Sequence, residues 1–357
     1  MPALLLLALW PLPALPSLIR PAPAFYPRLA PLVAAPGGGA GVVLEAPLPA
    51  QRRLLFLPRA PGTSAWGAPS VIAAAPAADD LANGHLLALP NGTLLCAFRH
   101  HFSGPRGTVY TLQLAASHDA GASWGAPALI TSGATGVWEP YLLLTPSALR
   151  VAYSAELTNG GEQDVVLRSS SDGGGAWGPV DSVLHTPGSR NGMPGLAVLR
   201  DGSLLLVCEG FWGARGWGAF TVNSARSLDG GRTWVQRQVA RAPPAPANAG
   251  SPQLALCRNS TVACAVCMSS EGGGSGSGSA WPDGAHAALL CAAVGGADAA
   301  APINWTAAGA PVRVPTATAT IYWPSFLAES SGGESSSARV AYQGSDGAAY
   351  LSDAAAC

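Results

Sequence analysis

The sequence predicts an all-β fold, a six-bladed β-propeller, on the strength of three observations. One turn motif recurs three times without gaps. A second repeat, a strand start that contains proline, keeps phase with the first at the spacing of one four-stranded sheet. Glycine (44 residues) and proline (32 residues) stand between short apolar runs, which is typical of a turn-rich β protein.

The turn motif reads S-x-D-x-G-x-[ST]-W, known as the Asp box. Its three copies begin at Ser117, Ser170 and Ser227. The one departure is Ala176, where the other copies have a hydroxyl residue. In a tight hairpin turn the Asp can cap backbone N–H groups, the Gly can take a positive φ, and the Trp can fold back between blades. Trp66 and Trp305 mark two eroded copies, and every interval between these tryptophans fits one blade.

The second repeat marks the first strand of each blade. Its five copies read Tyr26-Pro-Arg, Glu139-Pro-Tyr, Met193-Pro-Gly, Ser251-Pro-Gln and Trp323-Pro-Ser. One blade lacks the proline and starts near Asn83-Gly-His, so strand starts at 27, 84, 140, 194, 252 and 324 give six blades. A second apolar strand follows each start, such as residues 204–209. Because a blade is buried on both faces, these strands are predicted as continuous apolar runs.

Residues 1–24 are predicted to be a signal peptide and residues 25–357 to form the propeller. The apolar stretch from Met1 to Trp10 is too short to span a bilayer, and Ala22-Pro23-Ala24 has the small-x-small pattern of a cleavage site. We therefore expect a secreted, extracellular glycoprotein, with sequons at Asn91, Asn259 and Asn304. The last blade is expected to be completed by the segment after the signal peptide, unless the chain is truncated.

Composition argues against several partner classes. The chain has 19 basic and 20 acidic residues, so no basic field attracts nucleic acid or a membrane surface, and we expect a monomer. Seven cysteines cannot all pair within one chain. Cys264-Ala-Val-Cys267 lies in an apolar run and has no second C-x-x-C pair, so it is interpreted as part of a strand. No metal or other cofactor is expected.

Residues at equivalent positions of successive blades converge on one central pocket. The positions before the strand-start prolines carry Tyr26, Glu139 and Trp323, among others. The candidate substrate-binding residues at strand ends and the loops after them are Arg28, Arg99, His100, Glu156 and Trp212. Carboxylates, arginines and aromatic rings together favour sugar binding and glycoside cleavage. Each of these residues could instead have a purely structural role. Glu162, for example, is typical of a solvated turn. His100 and His101 have no third ligand at metal spacing, so they do not indicate a metal site.

Residues 82–235 also resemble the exo-arabinanases of glycoside hydrolase family 93. The segments that carry the resemblance are the strand ending in Arg99-His100, Trp138-Glu139-Pro-Tyr-Leu, the strand ending in Glu156, Arg190-Asn-Gly-Met-Pro, and Leu206-Val-Cys-Glu209. The resemblance implies a retaining, exo-acting glycosidase acting on α-L-arabinan-type polysaccharide. It also implies that Glu139 and Glu209 are the catalytic pair, nucleophile and acid/base, and that Arg190 lies at the site.

The residues beside the two glutamates favour this division of roles. Glu209 follows an apolar strand and precedes Phe211 and Trp212, so desolvation is expected to raise its pKa and keep it protonated. Glu139 is expected to stay ionised if Arg28 or Arg99 lies near it. In a retaining enzyme the two carboxyl groups lie roughly 5–6 Å apart.

Two alternatives use the same fold. In a sialidase, Arg28 would resemble the first of three arginines that bind the sialate carboxylate, and Tyr322 would be the tyrosine nucleophile. Arg99, Arg190 and Arg215 do not fall at equivalent blade positions, so a neutral sugar is favoured. The other alternative is a non-catalytic, carbohydrate-binding propeller, since the fold does not fix the function.

Overall fold

The computed structural model describes residues 16–32, 39–156, 162–211, 220–244, 246–257, 260–271, 284–294, 303–306, 312–314, 316–318, 320–329 and 337–355. In these ranges the chain forms 24 strands and no α-helix. The strands make six four-stranded antiparallel sheets. The predicted all-β fold with six blades is therefore confirmed.

The first three blades follow the chain in order. Blade 1 contains β2 (Phe25–Leu32), β3 (Gly39–Glu45), β4 (Gln51–Arg59) and β5 (Ser70–Pro76). Blade 2 contains β6 (Asp80–Ala88), β7 (Leu94–Gly104), β8 (Gly107–Ser117) and β9 (Ala128–Gly133). Blade 3 contains β10 (Val137–Leu144), β11 (Leu149–Ala155), β12 (Asp164–Ser170) and β13 (Val180–Leu184).

The other three blades complete the disc. Blade 4 contains β14 (Gly192–Val198), β15 (Leu204–Gly210), β16 (Thr221–Ser227) and β17 (Val235–Arg241). Blade 5 contains β18 (Ala249–Cys257), β19 (Val262–Ser269), β20 (His286–Ala293) and β21 (Val312–Arg313). Blade 6 contains β22 (Ile321–Glu329), β23 (Ser337–Gly344), β24 (Ala349–Ala355) and β1 (Ser17–Arg20).

The ring of blades closes through its inner strands. The first strand of each of blades 1 to 5 contacts the first strand of the next blade, and β22 of blade 6 contacts β2 of blade 1. Apolar side chains from facing sheets fill the space between blades, and Phe56 and Phe98 are fully buried there. Burial of both faces explains why the middle strands are continuous apolar runs.

Blade 6 takes its fourth strand from the N-terminal part of the chain. Strand β1 pairs antiparallel with β24, with Ser17 opposite Leu351 and Leu18 opposite Tyr350. Ile19 is buried in the core between blades 6 and 1. The propeller therefore includes residues upstream of 25, the predicted boundary, because β1 lies inside the segment predicted as a signal peptide. Ala24, also fully buried, donates its N–H to Gly347 O at 2.9 Å. Removal of residues 1–24 would remove β1, and the signal peptide itself stays a prediction.

The three Asp boxes form the turns between the third and fourth strands of blades 2, 3 and 4. In the first, the Asp119 carboxylate accepts from Ser123 N at 2.9 Å and from Ser117 Oγ at 2.8 Å. Gly121 has φ 88°, and a Cβ there would lie 2.1 Å from the Phe56 ring. These turns lie at the opposite end of the blade from the starts of the inner strands, because the chain reverses at every turn. The prediction that they lie away from the pocket is confirmed.

Two of the three box tryptophans and one from an eroded copy donate a hydrogen bond to the neighbouring blade, whereas Trp177 Nε1 has no such partner among the described residues. Trp124 Nε1 donates to Ser70 Oγ of blade 1 at 3.1 Å, and Trp234 Nε1 donates to Ser182 Oγ of blade 3 at 3.2 Å. Trp305, in an eroded copy, donates to Ser224 of blade 4 at 2.9 Å. Each donating indole therefore adds a polar contact to the apolar packing between blades.

The cysteines of blade 5 are strand residues. Cys264 is disulfide-bonded to Cys257 rather than to Cys267, which is a buried free thiol, as are Cys96 and Cys208. Across the described ranges, no group of three or more His, Cys, Asp and Glu residues could hold a metal ion. In the same ranges no helix has the length and hydropathy needed to cross a bilayer.

Strand β1 provides a first test of blade closure. Ile19→Ala is expected to lower the free energy of unfolding by about 2 kcal/mol, because it removes buried apolar contacts from the blade 6 core. Leu18→Ala, on the same strand, is the control; its side chain is 50% exposed and its loss should cost at most about 0.5 kcal/mol. Urea unfolding of the two variants measures the difference. Equal, small effects would show that β1 does not close the blade.

Ala176 provides a second test, because it interrupts the hydrogen bonds of the second box. In the first box the Ser123 hydroxyl donates to Asp119, whose pKa is lowered to about 2 by its hydrogen bonds. Ala176→Ser should add the same bond to Asp172 and raise Tm by about a degree. Because the bond favours the charged carboxylate, the gain is present near neutral pH and is lost as the pH falls through the lowered pKa of Asp172.

The control is Ala122→Ser in the first box, where Ser123 already donates to Asp119. Thermal unfolding at neutral and at acidic pH measures both variants. A gain of the same size from the two substitutions, or one that persists in acid, would contradict the assignment.

Candidate active site

The first strand of every blade carries one residue with a left-handed backbone. These residues are Tyr26, Asn83, Glu139, Met193, Ser251 and Trp323, with φ between 46° and 56°. Each lies at a β-bulge, where the register with the second strand shifts. For a non-glycine residue this conformation costs roughly 1 kcal/mol, and a bulge re-aims the side chain. We call these six the bulge ring. It contains the five predicted residues before proline and adds Asn83.

A second ring is formed by the residues of the second strands that pair with the position before each bulge. These residues are Glu45, Arg99, Ser154, Glu209, Met268 and Gln343. Sequence reasoning predicted Arg99 and Glu209 as site residues, but it missed Glu45. The signal was present, because Val42-Val43-Leu44-Glu45 has the same apolar run before a glutamate as the strand ending in Glu209. Ser154 holds the ring position expected for Glu156, which follows the end of β11.

Backbone N–H groups of the bulges donate to carboxylates of both rings. Asn83 N donates to Glu45 Oε1 at 2.9 Å, Met193 N to Glu139 Oε2 at 2.9 Å, and Ser251 N to Glu209 Oε2 at 2.7 Å. In each case the amide comes from the blade that follows the carboxylate. Three carboxyl groups are therefore held on the central face by the same structural device.

The carboxyl groups of Glu139 and Glu209 both lie beside Gly192. A Cβ at Gly192 would lie 3.1 Å from Glu209 Oε1 and 3.4 Å from Glu139 Oε2. The sum of these distances is an upper limit on the separation of the two oxygens. The separation of about 5–5.5 Å that is typical of retaining glycosidases falls within this limit. Glycine keeps this space open.

The two carboxyl groups have different surroundings. Glu139 Oε2 accepts a second hydrogen bond, from Ser154 Oγ at 3.0 Å. Burial, followed by the negative charge of Glu139, raises the pKa of Glu209 to about 7, against the opposing effects of Ser251 N, Arg190 and Arg28. The rise expected from desolvation is therefore present. Near neutral pH the pair can hold one proton, on the Glu209 side.

Arg28 lies beneath the pair and not at its surface. Its side chain is buried and its guanidinium lies 3.8 Å above the Tyr26 ring. Nη1 donates to Trp323 O at 2.8 Å and to Pro324 O at 3.2 Å, which ties blade 1 to blade 6. Tyr26 Oη lies 3.6 Å from Met193 Sδ of blade 4, across the centre of the disc. Arg28 therefore links two blades and supplies a buried positive charge that lowers the pKa of Glu209.

Arg99 and His100 lie towards blade 1 and pair with aspartates. Arg99 Nη2 donates to Asp80 Oδ1 at 3.1 Å, and its guanidinium lies 5.1 Å from the centroid of Trp138. His100 Nε2 is 2.9 Å from Asp79 Oδ2. Asp80 begins the strand that pairs with the end of β7, and this brings its carboxylate to Arg99.

The other predicted binding residues are distributed around the face. Arg190 Nη2 is 3.6 Å from Glu156 Oε1, and the charge of Arg190 lowers the pKa of Glu209. Both residues therefore lie on the side of the pair formed by blades 3 and 4. The Tyr322 ring lies 5.6 Å from that of Trp323 and packs on the core of blades 5 and 6. Trp212 lies outside the described residues.

A cavity of about 300 Å³ opens between blades 1 and 2. Its lining includes Phe25, Glu45, Arg52, Arg53, Asp80 and Arg99. Glu45 and Arg99 belong to the same ring as Glu209, so the cavity and the carboxylate pair share one face. Burial raises the pKa of Glu45, against the hydrogen bond from Asn83 N.

Solved structures with the same fold include glycosidases of two kinds. The α-L-arabinanase of Penicillium chrysogenum, complexed with arabinobiose, is 20% identical, with 97% of this chain and 99% of that chain covered and a TM-score of 0.66. The family 93 α-L-arabinofuranosidase of Fusarium graminearum, with arabinobiose, is 17% identical over 96% and 98% of the two chains, with a TM-score of 0.63. The NanB sialidase of Streptococcus pneumoniae is 9% identical over 96% and 70%, with a TM-score of 0.63.

These similarities define the fold. The chain is a sialidase-like, six-bladed β-propeller, as its Asp boxes predicted. No protein-family model matches the sequence, and a search of curated proteins found no match. The negative charge of Glu139 raises the pKa of Glu209, and this effect allows the site to be tested independently of the similarity in fold.

Glu139→Gln is expected to lower the pKa of Glu209 from about 7, because it removes the neighbouring negative charge. Folding raises the pKa of Glu209. Its contribution to stability is therefore fully present at a pH below its pKa in the unfolded chain, and is lost as the pH rises through its pKa in the folded protein. The stability of Glu209→Gln relative to the wild type should therefore rise by on the order of 3 kcal/mol as the pH passes through this window. The difference between the unfolding free energies of the two proteins, plotted against pH, gives the midpoint of this rise.

The same comparison in the Glu139→Gln background gives the shifted midpoint. Glu162→Gln is the control background; Glu162 accepts from Gly188 N and is not in the carboxylate pair. A midpoint that stays the same in both backgrounds would show that the two carboxyl groups are not coupled.

Proposed function

We propose that the protein is a secreted, exo-acting glycosidase that cleaves α-L-arabinan-type polysaccharide with retention of configuration. The observation that carries the proposal is the placement of Glu139 and Glu209 beside Gly192 in unlike surroundings. Two carboxyl groups at this separation, one of them protonated near neutral pH, match the requirements of a double-displacement mechanism.

In the proposed mechanism Glu209 is the acid/base. Its raised pKa keeps the carboxyl group protonated near neutral pH, so it can protonate the leaving glycosidic oxygen. Glu139 is the nucleophile and attacks the anomeric carbon as the glycosidic bond breaks. Ser154 Oγ and Met193 N hold the nucleophile by donating to its Oε2, which leaves Oε1 for attack. Glu209, now ionised, deprotonates the water that hydrolyses the glycosyl-enzyme.

The environment of the arginines supports a neutral sugar over a sialic acid. A sialidase would need three arginines that converge on a carboxylate. Arg28 donates to backbone carbonyls of blade 6, Arg99 pairs with Asp80, and Arg190 lies beside Glu156. The arabinobiose complexes of two proteins with this fold support arabinose as the sugar.

Substitution of the two glutamates separates the roles. Glu209→Ala should slow arabinan by about 10³-fold and aryl arabinosides with good leaving groups much less, because the latter do not need a proton. Glu139→Ala should abolish both activities, because no covalent intermediate can form. Product release on the two substrates, with NMR of the anomeric configuration of the first product, measures these effects.

Glu162→Gln is the matched carboxylate control, and it should leave both activities unchanged. Equal losses on both substrates in Glu209→Ala, or an inverted first product, would contradict the proposed roles. If the wild type binds arabinan and cleaves none, the protein is a carbohydrate-binding propeller.

A further inference from the structure

Two histidines of blade 2 contact the inner strand of blade 3, which carries Glu139. Strand β10 is an edge strand of its sheet, so the backbone groups on its free edge need partners from outside the sheet. His101 Nε2 donates to Val137 O at 2.8 Å, and Leu142 N donates to His85 Nδ1 at 3.1 Å. Along the chain, these two hydrogen bonds lie before and after the bulge at Glu139. The mechanism above uses neither histidine.

Each hydrogen bond fixes the protonation of its imidazole ring. A backbone carbonyl can only accept, so His101 carries a hydrogen on Nε2, and a backbone amide can only donate, so His85 has none on Nδ1. Burial lowers the pKa of both rings, and the charge of Arg28 adds to this effect at His85, whose pKa falls to about 3. The carboxylate of Asp80, 3.6 Å from His101 Nδ1, opposes the effect of burial without outweighing it. Both rings are therefore neutral near neutral pH.

His101 also packs against Trp138, the residue before Glu139. The two rings meet edge to face, with centroids 4.8 Å apart and planes at 80°. The Tyr110 ring lies 4.9 Å from the same imidazole. Because His101 is buried, its ring cannot turn away from Val137 without displacing these aromatic neighbours. Blade 2 therefore holds the segment before the bulge through both a hydrogen bond and a ring contact.

We propose that His101 is a positioning residue for the nucleophile Glu139, with His85 as a second anchor beyond the bulge. This inference rests on the proposed function, because it concerns the position of the attacking oxygen. Ser154 Oγ and Met193 N hold the carboxylate itself. The two histidines fix the backbone from which that side chain extends.

The kinetic test compares variants that keep or remove each hydrogen bond. His101→Leu removes the donor and is expected to lower kcat on arabinan by about 10- to 100-fold with little change in KM, because a misplacement of about 1 Å can cost that much. His101→Gln keeps an N–H donor and should recover most of the loss. His85→Leu and His85→Asn form the matching pair, since Asn keeps an acceptor, and the same pattern is expected.

His118→Leu is the control within the same blade. His118 is exposed at the Asp-box end, where its Nδ1 lies 3.2 Å from Thr93 Oγ1. The substitution removes a histidine hydrogen bond from the end of blade 2 opposite to the bulges, so kcat should not change.

A second measurement does not depend on catalysis. The difference between the unfolding free energies of the wild type and Glu209→Gln, plotted against pH, reports the pKa of Glu209, which the charge of Glu139 raises. In the His101→Leu background the midpoint should fall, because the Glu139 carboxylate is no longer held beside Glu209. In the His101→Gln background it should stay at about 7. If His101→Leu does not fold, the two His85 variants give the same comparison.

The outcomes separate this inference from the proposed function. A loss of kcat that His101→Gln does not recover, an equal loss in His118→Leu, or a midpoint that stays the same in His101→Leu would overturn the positioning role. Arabinan cleavage with an unchanged kcat in His101→Leu overturns this inference alone. A midpoint that falls in His101→Leu, in a protein that cleaves no arabinan, overturns the proposed function alone.

Discussion

The bulge in each inner strand is the local distortion on which the central face depends. It takes one backbone N–H out of the ladder with the second strand, and in blades 2, 4 and 5 this N–H donates to a carboxylate of the preceding blade. Asn83, Met193 and Ser251 use it for Glu45, Glu139 and Glu209 respectively. Strain of roughly 1 kcal/mol per left-handed residue is thus offset by a hydrogen bond to a charged group. Without the bulges the three carboxyl groups would lose these backbone donors.

The difference between Glu139 and Glu209 follows from what surrounds each one. Ser154 and Met193 both donate to Glu139, whereas Ser251 donates to Glu209. Arg28 and Arg190 lower the pKa of Glu209, but burial and the neighbouring charge outweigh them, since its pKa is still about 7. A buried pair that shares one proton avoids placing two negative charges beside each other. The arrangement is the one that an acid and a nucleophile require.

Periodicity made the blades and the carboxylate pair predictable from sequence. Glu139 and Glu209 hold fixed positions in a repeat, so their convergence follows from the register of the strands. Other features depend on information that a repeat does not carry. Glu45 was missed although it follows an apolar run like the one before Glu209, and Asn83 had no proline to mark its role at the centre. Three further features depend on contacts between segments of the chain and not on the repeat. They are the end of β11 at Ala155, the pairing of Arg99 with Asp80, and the pairing of β1 with β24.

The two ends of the same repeat place acidic groups in opposite environments. At the Asp-box end, Asp119 is exposed and surrounded by donors, and its hydrogen bonds lower its pKa to about 2. At the other end, burial raises the pKa of Glu45 and Glu209. Asp119 at the first end stays charged and stabilises a turn, whereas Glu209 at the second end, with a pKa of about 7, can exchange a proton near neutral pH. The location in the blade therefore separates a carboxyl group that stabilises the fold from one whose proton is available for chemistry.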